Sequence, residues 1–258
     1  MTRIASHRGG TLEFGDSTFA GFSATAGMPV EEVEFDLHPT LDGVIFVHHD
    51  PTLDRTTDRS GAIAGLTADE VRAAIVNHSQ AGPTHTLDLD ELCAVFADSP
   101  VLFRCEIKPG ADGRPYPDFV PRVIDALERN GRLHKTHFSS FLIDTLRELG
   151  EATDRPRLWL VSPPVLQQAG VDGVIALARS VGVSEIGVNI DCADAQLMQR
   201  VLDAGMEFGC WAAHTTPQIE KAFDLGVKVF TTDRPSLAVA IRERHPEASA
   251  RIARERQA

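Results

Sequence analysis

The sequence lacks paired cysteines. Cys93, Cys105, Cys192 and Cys210 are far apart and form no CxxC, which removes the spacing of a redox or zinc pair. Cys105 and Cys210 fall within apolar strand-like runs, where reduced, buried thiols are expected. Long apolar runs are missing too: none reaches the length of a membrane helix, and MTRIASHRGG has no signal-peptide core. The expectation is a soluble, cytoplasmic protein with no integral membrane segment. Positive charge is in short supply, the net charge being −12 with no acidic tail to account for it. That argues against nucleic acid or an anionic membrane as partner. An anionic substrate needs local help here, from a cation or from a few placed Arg and Lys. No GxGxxG follows the first strand, and no low-complexity linker divides the chain.

What is present is a 258-residue chain with 43% apolar content, enough for a large core. Its most informative stretch is residues 31–61, EEVEFDLHPTLDGVIFVHHDPTLDRTTDRSG. Apolar and polar residues alternate from Val33 to His38, the period of a strand, so Glu34, Asp36 and His38 share one face. Two carboxylates at that spacing lie about 6 to 7 Å apart at their Cα atoms, close enough to hold one hard cation. Asp42-Gly43 supplies a turn, and Val44–Val47 is a second short strand that delivers His48, His49 and Asp50 into a loop. The competing reading is a charged edge strand with a solvated hairpin.

Strand-like and helical runs alternate along the rest of the chain. Strands are expected at 3–7, 33–38, 101–107, 134–138, 157–161, 185–189, 207–212 and 227–231. Helices are expected at 17–27 (with Phe19, Phe22 and Ala26 on one face), 67–76, 88–97, 118–130, 140–149, 171–181, 194–204, 216–225 and 236–244. Thr67 and Glu70 form a capping box. In three late units (GVSEIGVNID, GMEFGCWAAH, GVKVFTTDRP) a glycine sits where a helix ends before a strand. Eight strand–helix units in about 250 residues is the size of a (β/α)8 TIM barrel, with a doubly wound open sheet as competitor. We expect one such α/β domain over 1–245, a small hairpin insertion after strand two at about 40–85, and a charged tail over 246–258.

In such a barrel the active site lies at the C-terminal ends of the strands. Those ends carry His7-Arg8, then Glu34 and Asp36, His49, Glu106 and Lys108, Ser139, Asn189, Trp211 and His214, and Asp233-Arg234. Glu34, Asp36 and Glu106 come from adjacent strands and offer oxygen alone. Such a set suits Mg²⁺ or Ca²⁺, with Mn²⁺ as a further candidate, better than Zn²⁺. The alternative is a carboxylate cluster neutralised by Lys108 and Arg8. His7 and His49 flank it, and beside a metal, Arg8 and Lys108 they suggest acid/base work on a small-molecule phosphodiester.

His7-Arg8-Gly9, Glu34-x-Asp36, Asp42-Gly43, His49-Asp50, Leu53-x-Arg55-x-Thr57, Gly61, Glu106-Ile107-Lys108, Trp211 and Thr232-Asp233-Arg234-Pro235 closely resemble the glycerophosphodiester phosphodiesterase family. The resemblance spans the chain. It implies a (β/α)8 barrel with an insertion after strand two, a divalent metal on Glu34, Asp36 and Glu106, and acid/base roles for His7 and His49. It also implies phosphate contacts from Arg8 and Lys108, and cleavage of deacylated phospholipids to glycerol 3-phosphate and an alcohol. Two departures stand out. Gly15-Asp16-Ser17-Thr18 replaces the usual Pro-Glu-Asn-Thr, and Ala212-Ala213-His214 replaces Thr-Val-Asn after the tryptophan. Trp211 and His214 are therefore expected to face the substrate's alcohol, unless His214 caps the helix beginning near Thr216. Other readings are a phosphodiesterase of sugar-phosphate diesters or lysophospholipids, and a non-catalytic phosphoester-binding protein.

Overall fold

The computed structural model describes residues 1–77 and 82–245, so the expected tail lies outside the described residues. β1 (Arg3–His7), β2 (Glu32–Pro39), β3 (Leu102–Ile107), β4 (Thr136–Ser140), β5 (Arg157–Val161), β6 (Glu185–Asn189), β7 (Glu207–Trp211) and β8 (Val229–Thr232) run parallel. Each pairs with its neighbours in sequence, and β1 pairs with both β2 and β8. These eight strands form a closed barrel.

Every residue of β2 is buried, and the two faces carry opposite chemistry. Val33, Phe35 and Leu37 join the apolar core beneath the helices, where Phe35 meets Phe103 edge-to-face at 5.0 Å and Phe103 meets Phe96 at 5.3 Å. Glu32, Glu34, Asp36 and His38 alternate with them on the other face. The helices bury the complementary stripe. In Phe119–Arg129, the side chains of Phe119, Val120, Val123, Ile124 and Leu127 recur at three- and four-residue spacing and are buried. Gly182, Gly205 and Gly226 follow helices with φ of +67°, +76° and +69°, the left-handed conformation expected of a residue that ends a helix.

The strand Ile45–Val47 pairs antiparallel with Leu37–Pro39 of β2, and Leu87–Asp88 pairs antiparallel with it on the other side. Phe46, Leu53, Ile63, Val71 and Ala74 form a small apolar cluster of their own there. The Thr67–Glu70 capping box is present, but its helix, Ala68–Arg72, is shorter than the expected 67–76. Ile75–Val76 leaves it to pair with Thr84–His85.

Other boundaries differ for local reasons. β4 begins two residues later than expected, because Leu133–Lys135 takes a tight 3₁₀ turn. The helix expected at 171–181 extends back to Pro163 across a break at Gly170, which has φ 64° and ψ 171°. Phe19 is 56% exposed while Phe22 is fully buried, since Thr18 caps the helix and Phe19 is its first residue.

Below the strand ends, ion pairs fill the barrel interior. Arg104 Nε donates to Glu32 Oε2 at 2.7 Å and its Nη1 to Glu185 Oε1 at 3.0 Å. Arg3 reaches Glu32 at 3.1 Å, and Lys228 bonds both Glu185 and Glu207. Arg104, Glu32 and Glu185 are buried, while Glu207, 54% exposed, stands at the solvent end of this network.

Candidate active site

The loop after β1 turns at once into the left-handed region: Arg8 has φ 50°, Gly9 76° and Gly10 89°. A Cβ on Gly9 would lie 2.9 Å from the backbone of Gly21, so only glycine lets the helix Phe19–Gly27 approach this turn. The Arg8 amide donates to Glu34 O at 2.8 Å, which locks the turn to β2. Its guanidinium then reaches Asp36 Oδ2 at 3.1 Å and Asp16 Oδ2 at 3.0 Å.

The register places Asp36 opposite Glu106, and Glu34 one strand-repeat below it on β2, beside Arg104 of β3. Glu34, Asp36 and Glu106 bring oxygens within 4.8 Å of one another, all buried. Lys108 Nζ stands 2.7 Å from Glu106 Oε1 and 3.1 Å from Asp36 Oδ1. Even so, Glu34 Oε2, both Asp36 oxygens and Glu106 Oε1 lack a well-formed hydrogen bond. Burial and the neighbouring carboxylates Asp36 and Glu106 push the Glu34 carboxyl well above its ordinary range. Burial raises the Glu106 carboxyl to about 7 against the pull of Lys108. Burial works the same way on Asp36, but Lys108 and Arg8 outweigh it and hold that carboxyl far down. Hard oxygen acceptors crowded together and short of partners form a group that could hold a metal ion.

Both candidate histidines have Nδ1 held by a carboxylate. His7 Nδ1 is hydrogen-bonded to Asp233 Oδ1 and His49 Nδ1 to Asp50 Oδ1, and Asp50 is itself gripped by Arg55. With Nδ1 donating, each ring presents a basic Nε2. That of His7 points toward Glu34, 3.6 Å from Oε2. Burial lowers the His49 imidazole below its ordinary value. His38 anchors the His49 loop: its Nε2–H donates to His49 O at 3.1 Å, and its Nδ1 accepts from Tyr116 Oη at 2.9 Å. Burial depresses His38 to about 4, consistent with the neutral ring this bonding requires. His48 is turned away, bonded to Asp50 O and Thr56 Oγ1.

His214 lies beside His7, ring centroids 5.8 Å apart. Its Nδ1 accepts the Asp233 amide N–H at 3.0 Å, so the 3.4 Å approach of Asp233 Oδ2 to the same nitrogen is no ion pair. A nitrogen that accepts is unprotonated, and burial likewise lowers this imidazole below its ordinary value. The following helix, Thr216–Leu225, is capped by Thr215 with Gln218, not by the His214 side chain. His7, His214 and Asp233 also lie within metal-binding reach of one another. Both Nδ1 atoms are already engaged with Asp233, however, which makes this trio a hydrogen-bonded set.

A cavity of about 250 Å³ unites these groups. His7, Arg8, Glu34, His49, Glu106 and Lys108 line it, together with Phe141, Trp211 and His214. Trp211 packs edge-to-face on Phe141 at 5.7 Å, and Lys108 Nζ sits 5.6 Å from the Phe141 ring. Every expected site residue except Asp36 borders the cavity, and Asp36 lies buried behind it between Arg8 and Lys108. Composition and spacing assigned no role to Asp233, Asp50, His38 or Arg104. Asp50 and Asp233 stood inside quoted motifs, and the strand alternation put His38 on the face of Glu34 and Asp36, whereas nothing local marks Arg104.

Residues 7–237 match the model of the glycerophosphoryl diester phosphodiesterase family. The chain is 63% identical to a protein of known crystal structure from Agrobacterium tumefaciens, provisionally named a glycerophosphoryl diester phosphodiesterase, covering 95% of this chain and 98% of that one, with a TM-score of 0.93. It is 23% identical over 241 residues to the glycerophosphodiester phosphodiesterase of Caldanaerobacter subterraneus, covering 92% and 96% of the two chains. A phosphodiesterase from Oleispira antarctica, crystallised with the product sn-glycerol-3-phosphate, shares the fold at 19% identity and a TM-score of 0.78, over 93% and 96%. With the family model matched from His7 in the first rim loop to Leu237 beyond β8, the chain belongs to the glycerophosphoryl diester phosphodiesterase family.

Proposed function

We propose that the protein hydrolyses small glycerophosphodiesters to glycerol 3-phosphate and an alcohol, using one divalent cation. The observation that carries this is a single cavity lined by partner-poor carboxylate oxygens, two histidines, an arginine and a lysine. Glu34, Asp36 and Glu106 fit Mg²⁺, Ca²⁺ or Mn²⁺, because the donors are all hard oxygens. Bound there, such an ion supplies positive charge against which phosphoryl oxygens gain negative charge.

The remaining work falls to the chain's own side chains. Arg8 and Lys108 orient the phosphate. His7 and His49 exchange protons at Nε2, one taking the proton of the attacking hydroxyl and the other protonating the leaving alkoxide. The attacking group in this reading is the substrate's own neighbouring hydroxyl, followed by water opening a cyclic phosphate. Trp211 and Phe141 form the apolar wall. The setting is cytoplasmic, in keeping with four free cysteines, three of them buried; among the described residues no helix is long and apolar enough to cross a membrane.

The test is an assay of purified protein against glycerophosphodiesters, sugar-phosphate diesters and lysophospholipids, with Mg²⁺, Ca²⁺ and Mn²⁺ compared. Cation-dependent release of glycerol 3-phosphate is expected. Full activity in excess chelator, or no release from any glycerophosphodiester, overturns the reading.

A further inference from the structure

The cavity contains a second kind of unpaired group. Besides the carboxylate acceptors, Arg104 Nη2, Trp211 Nε1 and Ser139 Oγ are buried without hydrogen-bond partners, and all three residues border the same space. The acceptors call for a cation. The two nitrogens are obligate donors and call for an oxygen, which ordered water or a ligand must supply.

Arg104 is held firmly for such a task. Glu32 and Glu185 fix its Nε and Nη1, so the remaining Nη2 has a set direction. Gly209 leaves room beside its Glu185 partner, for a Cβ there would come within 3.2 Å of Glu185 Oε1 and 3.1 Å of Val229 O. The charge of Arg104 is already matched. It faces two buried carboxylates, Glu32 and Glu185, so a further anion at this depth would lie close to both. An uncharged oxygen meets no such penalty. A hydroxyl has two lone pairs and one proton, matching two N–H donors and one serine oxygen able to accept.

We infer that Arg104, Ser139 and Trp211 form a hydroxyl-recognising subsite on the floor of the cavity. The inference rests on the phosphodiesterase reading above and deepens it. The half of the substrate that enters toward the barrel axis carries an uncharged hydroxyl in addition to the one that reacts, as a glycerol unit does. Recognition comes from the chain's own donors, apart from the cation.

Calorimetric binding of three ligands in the presence of Mg²⁺ tests this independently of turnover. They are sn-glycerol 3-phosphate, propane-1,2-diol 1-phosphate, which lacks the terminal hydroxyl, and 3-phosphoglycerate, which has a carboxylate there. The glycerol compound is expected to bind at least about tenfold more tightly than either, since two buried donors, one of them charged, lose their partner otherwise. Trp211→Phe and Ser139→Ala, which each delete a single polar group, should shrink that preference several-fold; Arg104→Lys should do so too if it folds. Equal affinity for the glycerol and propanediol phosphates overturns the subsite, as does a preference untouched by Trp211→Phe and Ser139→Ala. Tighter binding of the carboxylate would make the floor an anion site and equally overturn it. If wild type discriminates as expected yet cleaves no glycerophosphodiester, the subsite stands and the reaction assigned above falls.

Discussion

His7 on β1 and Asp233 just after β8 are 226 residues apart, yet His7 Nδ1 is hydrogen-bonded to Asp233 Oδ1. The contact exists because β1 and β8 close the barrel side by side. It fixes the imidazole tautomer and aims Nε2 into the cavity. Asp233→Asn should therefore lower kcat roughly 10²-fold while KM changes little, as loss of an orienting carboxylate does. Steady-state kinetics with a thermal melt to confirm folding is the check. An unchanged kcat would mean that His7 needs no such support.

His7→Ala and His49→Ala should each reduce turnover by roughly 10² to 10⁴. His48→Ala should behave differently. That ring is buried and bonded to Thr56 and Asp50, so its removal should cost about 1 to 3 kcal/mol of stability and leave kcat within a few-fold. Denaturant melts beside kinetics separate the two effects. A kcat loss in His48→Ala as deep as in His49→Ala would reassign the base.

Cation binding should release protons. Glu34 and Glu106 have raised carboxyl pKa values, the latter about 7, so both are largely protonated at mildly acid pH. Their folded values exceed the ordinary one, hence without a cation the folded state gains protons relative to the unfolded and this contribution to stability fades as pH rises toward 7. A bound cation needs the deprotonated forms. The rise in Tm on adding Mg²⁺ or Ca²⁺ should thus grow from pH 5 to pH 8, and titration in buffers of different ionisation enthalpy should show proton release. A pH-independent Tm shift would count against these ligands. Glu34→Gln, Asp36→Asn and Glu106→Gln should each cost at least about 10² in turnover.

His214→Asn should alter the ranking of kcat/KM among diesters with different alcohols, by about 1 to 3 kcal/mol. The side chain borders the cavity and leaves capping to Thr215 and Gln218, so the helix Thr216–Leu225 should persist. Equal proportional loss for every alcohol would assign His214 to holding Asp233 alone.

Whatever depended on local order was legible in the chain. The two-residue alternation put Glu34 and Asp36 on one face of a strand, the Thr67–Glu70 cap marked a helix start, and glycines at 182, 205 and 226 marked helix ends. Each follows from backbone geometry over a few residues. Boundaries slipped where a neighbour intervened, as when Ile75–Val76 left its helix to pair with Thr84–His85. Barrel closure alone decided the contacts between distant residues. Asp233 became the partner of His7, Asp16 the bridge between Arg8 and Arg55, and Arg104 the centre of a buried network whose carboxylates lie 72 and 81 residues away. Such pairings carry no local periodicity. They arise only when parallel strands are brought into register, and register is a property of the folded sheet.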